Sequence, residues 1–318
     1  MPNWQDDILA AWRRIAPLVR ETPVEAAPLA PGVEVYLKLE HLQHTGSFKF
    51  RGASHKIALL EPKQAADGVI AASNGNHGLG VAAAARARAI AADVFVSSQV
   101  SPAKVERIES LGARIRYAGE DPLSAELAAR AAAEASGRVF ISPYNDADVI
   151  AGQGTIAVEL TRQVDFPVDA VFVAAGGGGL MGGIGAYLKA VSPATEIVGC
   201  WPKNSPVLYR CIEAGRVVDV RETPTLSEST SGGLEPGSVT VELCKTVMDR
   251  ASFVSEDQIL NAMRRVLETE HWLIEGAAGV AVACLLKDAE RYHGKRVAVV
   301  LCGRNVSPEV GRKLIGRP

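Results

Sequence analysis

Lys49 stands in the run Thr45-Gly46-Ser47-Phe48-Lys49-Phe50-Arg51-Gly52-Ala53, and two distant loops suggest a use for it. A lysine amine with a pKa of ~10 is protonated and a poor nucleophile at neutral pH. An enzyme that needs one desolvates it or sets cations beside it. Phe48, Phe50 and Ala53 can shield Lys49, and Arg51 is close in sequence. Alone, it reads as a surface lysine. The second loop is Ser73-Asn74-Gly75-Asn76-His77-Gly78, after the apolar run Val69–Ala72. Asn76 can donate to an anionic oxygen, and Ser73 with the N–H groups around Gly75 can hold a carboxylate if a helix starts there. Alone, it reads as an Asn-Gly turn capped by Ser73.

The third loop is Gly176-Gly177-Gly178-Gly179, after Ala170–Ala175. Without Cβ atoms, the N–H groups of such a run can converge on an anion. The helical stretch Leu180–Leu188 adds a helix N-terminus. The spacing is not G-x-G-x-x-G after a first strand, and no acidic ribose partner follows, so one phosphate suits it better than a dinucleotide. An amine, an amide and a phosphate cradle together suit pyridoxal 5'-phosphate, an aldehyde with a phosphate tail. A fourth segment, Cys302-Gly303-Arg304-Asn305, closes the apolar run Arg296–Leu301. A thiol beside a ring nitrogen is a weak, neutral partner, which favours elimination over transamination. The plainer reading of Cys302 is a core residue.

Alternating helix and strand signals predict an α/β fold with mainly parallel strands to position these loops. Ile8, Trp12, Ile15 and Val19 recur at helical spacing before Pro23. Val33, Val35, Leu37 and Leu39 alternate with polar residues, as in a half-exposed strand. Further strands are expected at Val69–Ala72, Ala92–Val96, Ala113–Tyr117, Ala170–Ala175, Glu196–Cys200 and Arg296–Leu301. The last is apolar enough for a central strand buried on both faces. A helix capped by Ser101, opened by Pro102 and ended by Gly112 is expected between two of them. Residues 68–146 read as a smaller mobile unit nested within a larger domain made of 1–67 and 147–318. A cleft between two such units is a common ligand site.

At 318 residues the chain can bury a substantial core. Its 47% hydrophobic and 22% charged composition is that of a soluble globular protein. A net charge of −2 gives no reason to expect nucleic acid or an anionic membrane as partner. No apolar run approaches the roughly 20 residues of a membrane span, and no signal pattern opens the chain, so a cytoplasmic location is expected. Cys200, Cys211, Cys244, Cys284 and Cys302 form no CxxC pair, which argues against zinc and disulfides.

Together these segments resemble the threonine/serine dehydratase family of pyridoxal-phosphate enzymes, which includes serine racemase. The likeness covers nearly the whole chain. It also takes in Leu37-Lys38-Leu39-Glu40-His41-Leu42-Gln43, Gly152-Gln153-Gly154-Thr155 and Glu275-Gly276-Ala277-Ala278-Gly279. The resemblance implies the two-domain, tryptophan-synthase-β-like fold type II, with open, mainly parallel sheets and helices on both faces. It implies that Lys49 bonds the cofactor, Phe48 packs on its ring, Asn76 binds its ring hydroxyl, the four glycines bind its phosphate and Cys302 faces its ring nitrogen. Glu275 is expected among the cofactor-binding residues, and Ser73, Asn74, Gly75, Asn76 and His77 around the substrate. A homodimer is implied as well.

Four positions depart from the family pattern. Racemases carry a second serine where this chain has Asn74, which cannot shuttle a proton. Trp201-Pro202, Ser205 and Val207 stand where some members ligate a divalent cation, and hard cations want carboxylates, so no metal is expected. Thr225–Gly233 replaces a common Ala-Asp-Gly stretch, which puts Ser229 and Thr230 near the substrate and leaves its identity open. Arg304 replaces a glycine. With Pro318 as its last residue, the chain is not expected to carry a C-terminal amino-acid-sensing domain.

The implied activity is α,β-elimination from a β-hydroxy L-amino acid to a 2-oxo acid and ammonia. Threonine, serine, 3-hydroxyaspartate and phenylserine are candidate substrates, with Arg304 the nominee for a second carboxylate. No acidic side chain stands out as proton donor to the departing hydroxyl, which leaves the cofactor phosphate. The alternatives are a racemase or β-replacement synthase of the same fold, and a non-enzymatic amino-acid-binding protein.

Overall fold

Short apolar runs form the centres of two sheets in the computed structural model, which describes residues 3–316. The strands are β1 (Val24–Ala27), β2 (Glu34–Lys38), β3 (Val69–Ala72), β4 (Ala92–Val96), β5 (Arg114–Tyr117), β6 (Val139–Ile141), β7 (Ala170–Ala174), β8 (Glu196–Pro202), β9 (Arg250–Val254) and β10 (Arg296–Val300). The larger sheet runs β1-β2-β10-β7-β8-β9 and the smaller β5-β4-β3-β6. Only β1 pairs antiparallel, with β2; the other described pairings are parallel. Central β7 is buried throughout, and β10 after its first residue, as their apolar runs require. Each sheet has its own apolar core. Phe172, Val299 and Met181 belong to the larger, and Leu79, Val94 and Ile57 to the smaller. The loops after β3, β7 and β10 leave the carboxyl ends of parallel strands, where α/β folds bind ligands.

Several expectations shift. The first helix is Trp4–Ile15, so Val19 lies beyond it, against the smaller core. The chain turns away there, and the Arg20 N–H bonds Gln43 Oε1 at 3.0 Å. The next revised helix is Pro102–Glu109, and Ser101 sits at its N-cap without a side-chain bond. Gly112 follows beyond the helix end at φ +89. β1, β6 and β9 were not expected: VEAA, VFI and RASFV lack a periodic signal of useful length.

The alternation through β2 predicts an exposed Lys38, yet Lys38 is fully buried. Its ammonium donates to Thr22 O at 2.6 Å, Glu159 Oε2 at 2.6 Å and Gln163 Oε1 at 3.0 Å. Arg51, equally buried, grips Glu159 at 2.6 and 2.7 Å and Glu40 at 2.7 and 2.8 Å. Two cations thus meet two carboxylates out of water, and each bidentate pair offsets part of the desolvation cost. Burial raises the Glu40 pKa, but Arg51 outweighs it and holds the carboxyl below its usual range. The Arg51→Ala variant would leave both carboxylates buried against Lys38 alone. Urea unfolding should show a loss of about 3–5 kcal/mol, and an unchanged midpoint would contradict this account.

Candidate active site

Lys49 opens the helix Lys49–Ala58. Its entry is fixed from the larger sheet: the Phe48 N–H donates to Cys302 O at 3.1 Å, and Ser47 bridges Gly303. A helix turns about 100° per residue, so Arg51, anchored in its ionic cluster, lies about 200° round from Lys49. The Lys49 amine donates to Pro143 O at 2.6 Å and stands 5.2 Å from the Phe48 ring centre. Burial lowers its pKa to about 8, against the pull of Glu126, Cys302 and Glu275. Arg51 faces its own carboxylates, so desolvation rather than a neighbouring cation activates this amine. His77 is buried with Nε2 bonded to Ile141 O at 2.8 Å. Burial first, then Lys49, brings its pKa down to about 3, and the ring is neutral.

Gly178 has φ +91 and caps the helix Gly179–Val191. A side chain there would be strained. At Gly177 a Cβ would overlap the Tyr144 ring, and at Gly176 it would come 2.7 Å from Thr230 Cα. Thr240 Oγ1 donates to Gly177 O at 2.7 Å and fixes that peptide. The first-turn N–H groups of a helix have no intrahelical acceptor and favour an anion. Pro143 and Tyr144 are consecutive, so one short segment joins the lysine amine to the glycine cradle.

Asn76 starts the helix Asn76–Ala87. Its Nδ2 donates to Glu275 at 2.8 and 3.0 Å and to Ser229 Oγ at 3.2 Å, while Asn305 Nδ2 donates to Asn76 Oδ1 at 2.5 Å. Ser229 Oγ also donates to Glu275 at 2.8 Å. Four segments far apart in sequence therefore meet at one buried carboxylate, whose pKa is raised by burial against these donors. Ser73 does not cap the helix; its Oγ accepts from the Gly75 N–H at 3.0 Å. The space a Gly75 side chain would take is open. Asn74 is spent on Ser97, donating to its Oγ at 2.7 Å and accepting from its N–H at 2.9 Å. Cys302 is 2% exposed, and burial first, then Glu275, pushes its thiol far up, so it is neutral.

Some nominated residues lie elsewhere. Arg304 is exposed, packs against Gly46 and stands beside His41. Trp201 is buried and stacks on Phe253 with centroids 5.9 Å apart, and Ser205 donates to Glu222. The sequence reading missed Pro143 and Tyr144, whose roles arise only from packing. It also missed Glu126, hidden in an alanine-rich helix, and the Asn305 amide, although Asn305 belongs to the Cys302–Asn305 segment.

Residues 15–303 match the family described as pyridoxal-phosphate dependent enzyme. An L-threonine ammonia-lyase of Thermotoga maritima is 36% identical over 98% of this chain and 78% of its own. A beta-hydroxyaspartate dehydratase of Paracoccus denitrificans is 32% identical over 95% of this chain and 96% of its own. Among solved structures, maize serine racemase superposes with a TM-score of 0.89 at 30% identity, over 96% of this chain and 94% of that one.

The lowered Lys49 pKa has a direct test in ligand-free protein. Acylation of Lys49, followed by peptide mass mapping, should rise with pH through a midpoint near 8 instead of the ordinary 10.5. The neutral amine is the reactive form, so the signal grows as pH increases. A midpoint above 10 would refute the desolvation argument.

Proposed function

This chain belongs to the family of pyridoxal-phosphate dependent enzymes, and we propose that it eliminates water from a β-hydroxy L-amino acid, yielding a 2-oxo acid and ammonia. Lys49 carries this reading: it is an amine brought to a pKa of about 8 by burial, bonded to the carbonyl beside the tyrosine that packs the glycine loop. When bound, pyridoxal phosphate supplies an aldehyde that captures amines and a ring that accepts the electron pair left by a departing α-proton.

The residues fit that group. Gly178 has positive φ, and Gly176, Gly177 and Gly179 let Thr230 and Tyr144 pack close to the loop, so that Gly176, Gly177, Gly178 and Gly179 would offer a phosphate backbone N–H groups at a helix start. Lys49 would bond the aldehyde carbon, Phe48 would cover the ring and Asn76 would meet its oxygen. Glu275 orients Asn76 by holding its amide. Neutral Cys302 offers the ring nitrogen no carboxylate, which suits elimination. The substrate carboxylate belongs at the start of the Asn76–Ala87 helix, among Ser73, Gly75 and the following N–H groups. Ser229 and Thr230 lie close to Asn76 and the glycine loop and would border the substrate side chain. In its neutral form Lys49 removes the α-proton as general base.

Serine and threonine are the default substrates, in line with the ammonia-lyase relative; the Paracoccus relative supports 3-hydroxyaspartate as a third. Exposed Arg304 is a poor partner for a second carboxylate. The similarity to a racemase keeps that alternative in view, but Asn74, engaged with Ser97, offers no proton. Residues 68–146, whose strands form their own sheet, would close over the substrate. No described helix is long and apolar enough to cross a membrane. A cytoplasmic homodimer is the expected form, and light scattering reads the dimer directly.

Release of 2-oxo acid from a panel of serine, threonine, 3-hydroxyaspartate and phenylserine tests the reading. At least one should be consumed, and Lys49→Ala should abolish both turnover and the visible absorbance of bound cofactor. Full activity in that variant would sink the assignment.

A further inference from the structure

The helix Pro122–Ser136, packed on the smaller sheet, carries Glu126 into the protein interior. Glu126 is 6% exposed, and its Oε1 has no hydrogen-bond partner. A buried carboxyl in that state is costly when charged and stable when protonated. Its titratable and charged neighbours are Glu235, Arg130, Lys49 and Tyr144. All four have other bonds. Arg130 holds the Glu235 carboxylate at 2.7 and 2.8 Å, the Tyr144 hydroxyl accepts from the Glu235 N–H at 2.8 Å, and Lys49 donates to Pro143 O. Burial first, then the Glu235 charge, pushes the Glu126 carboxyl up to about 8, with Arg130 and Lys49 opposing. Among the charges that act on Lys49, Glu126 acts most strongly. A buried carboxyl with an unpartnered oxygen and an amine of lowered pKa thus act on each other in the interior, the pattern of an acid–base pair.

We propose that Glu126 is the catalytic acid that protonates the departing β-hydroxyl of the substrate. The proposal rests on the elimination reading above. Lys49 takes the proton from Cα, and the electron pair left behind forms the Cα–Cβ double bond. The Cβ–O bond breaks with its pair on oxygen, and the carboxyl hydrogen of Glu126 passes to that oxygen as water leaves. Lys49 ends the step protonated and Glu126 ends it ionised; one proton returned from Lys49 to Glu126 restores both.

The test compares two leaving groups in Glu126→Gln holoenzyme. Hydroxide needs a proton to depart and chloride does not. Turnover of the best β-hydroxy substrate should fall about 100-fold or more, while elimination from β-chloro-L-alanine should change by less than about threefold. Exchange of the substrate α-proton in deuterated water should persist, because Lys49 is intact. Glu126→Asp should keep more hydroxyl turnover than Glu126→Gln and covers the case in which the amide variant folds poorly. Infrared difference spectra of cofactor-free wild type against Glu126→Gln give a readout independent of activity. A protonated-carboxyl band should be present at pH 7 and fade as pH rises through about 8. Equal losses for both leaving groups, undiminished hydroxyl turnover or absence of the band would overturn the proposal. Wild-type protein inert towards every β-hydroxy substrate would instead defeat the elimination reading, and this proposal with it.

Discussion

Arg51 decides where Lys49 goes. Its guanidinium, out of water between Glu40 and Glu159, is stable there only while both carboxylates are in place. That bond set pins one side of the Lys49–Ala58 helix to the segments that carry Glu40 and Glu159. Helical geometry then turns the residue two positions earlier to the other side, towards Pro143 and the smaller sheet. The direction of the lysine side chain follows from that cluster, although Lys49 itself bonds Pro143 O and not the cluster. Gly80 completes the arrangement: with no side chain, its helix packs close to the Lys49 backbone, where a Cβ would stand 3.1 Å from the Lys49 carbonyl carbon.

Around that lysine, burial disfavours the charged form of five titratable groups. It lowers Lys49 and His77 and raises Cys302, Glu126 and Glu275. In water the Lys49 amine and the Glu126 carboxyl would be charged at neutral pH. Burial shifts both towards their uncharged forms, while Glu275 is held by the donors of Asn76, Ser229 and Asn305. The glycine cradle is the exception: oriented N–H groups at a helix start tolerate a full negative charge there. In the proposed reaction the site would separate a proton-handling end from an anion-holding end, with Tyr144 packed beside the glycine loop and electrostatically linked to Glu126.

The candidate-site loops were legible because their residue types are unusual in combination: a lysine between phenylalanines, four glycines in a row and an Asn-Gly-Asn turn after an apolar run. The central strands were legible for the same local reason. What escaped depended on tertiary packing. β1 and β9 lie at the edges of the larger sheet and β6 at an edge of the smaller, and all three are too short for a period to declare itself. Lys38 obeys the alternation that predicts exposure, and its burial is explained by acceptors distant in sequence, Glu159 first among them. Glu126 sits in PLSAELAARAAAEAS, a stretch that reads as a solvated surface helix. The helix packing against the smaller sheet turns one of its acids inward, and no local pattern announces which.

The amide at position 74 has a stereochemical consequence. Both ends of Asn74 are held by Ser97, and an amide so occupied neither gives nor takes a proton. In the proposed reaction, exchange at Cα therefore runs through the lysine alone, from a single face. A site of that kind handles one mirror image and is blind to the other. Offered a racemate, the protein would act as a resolving agent, and the unused enantiomer would be left optically pure.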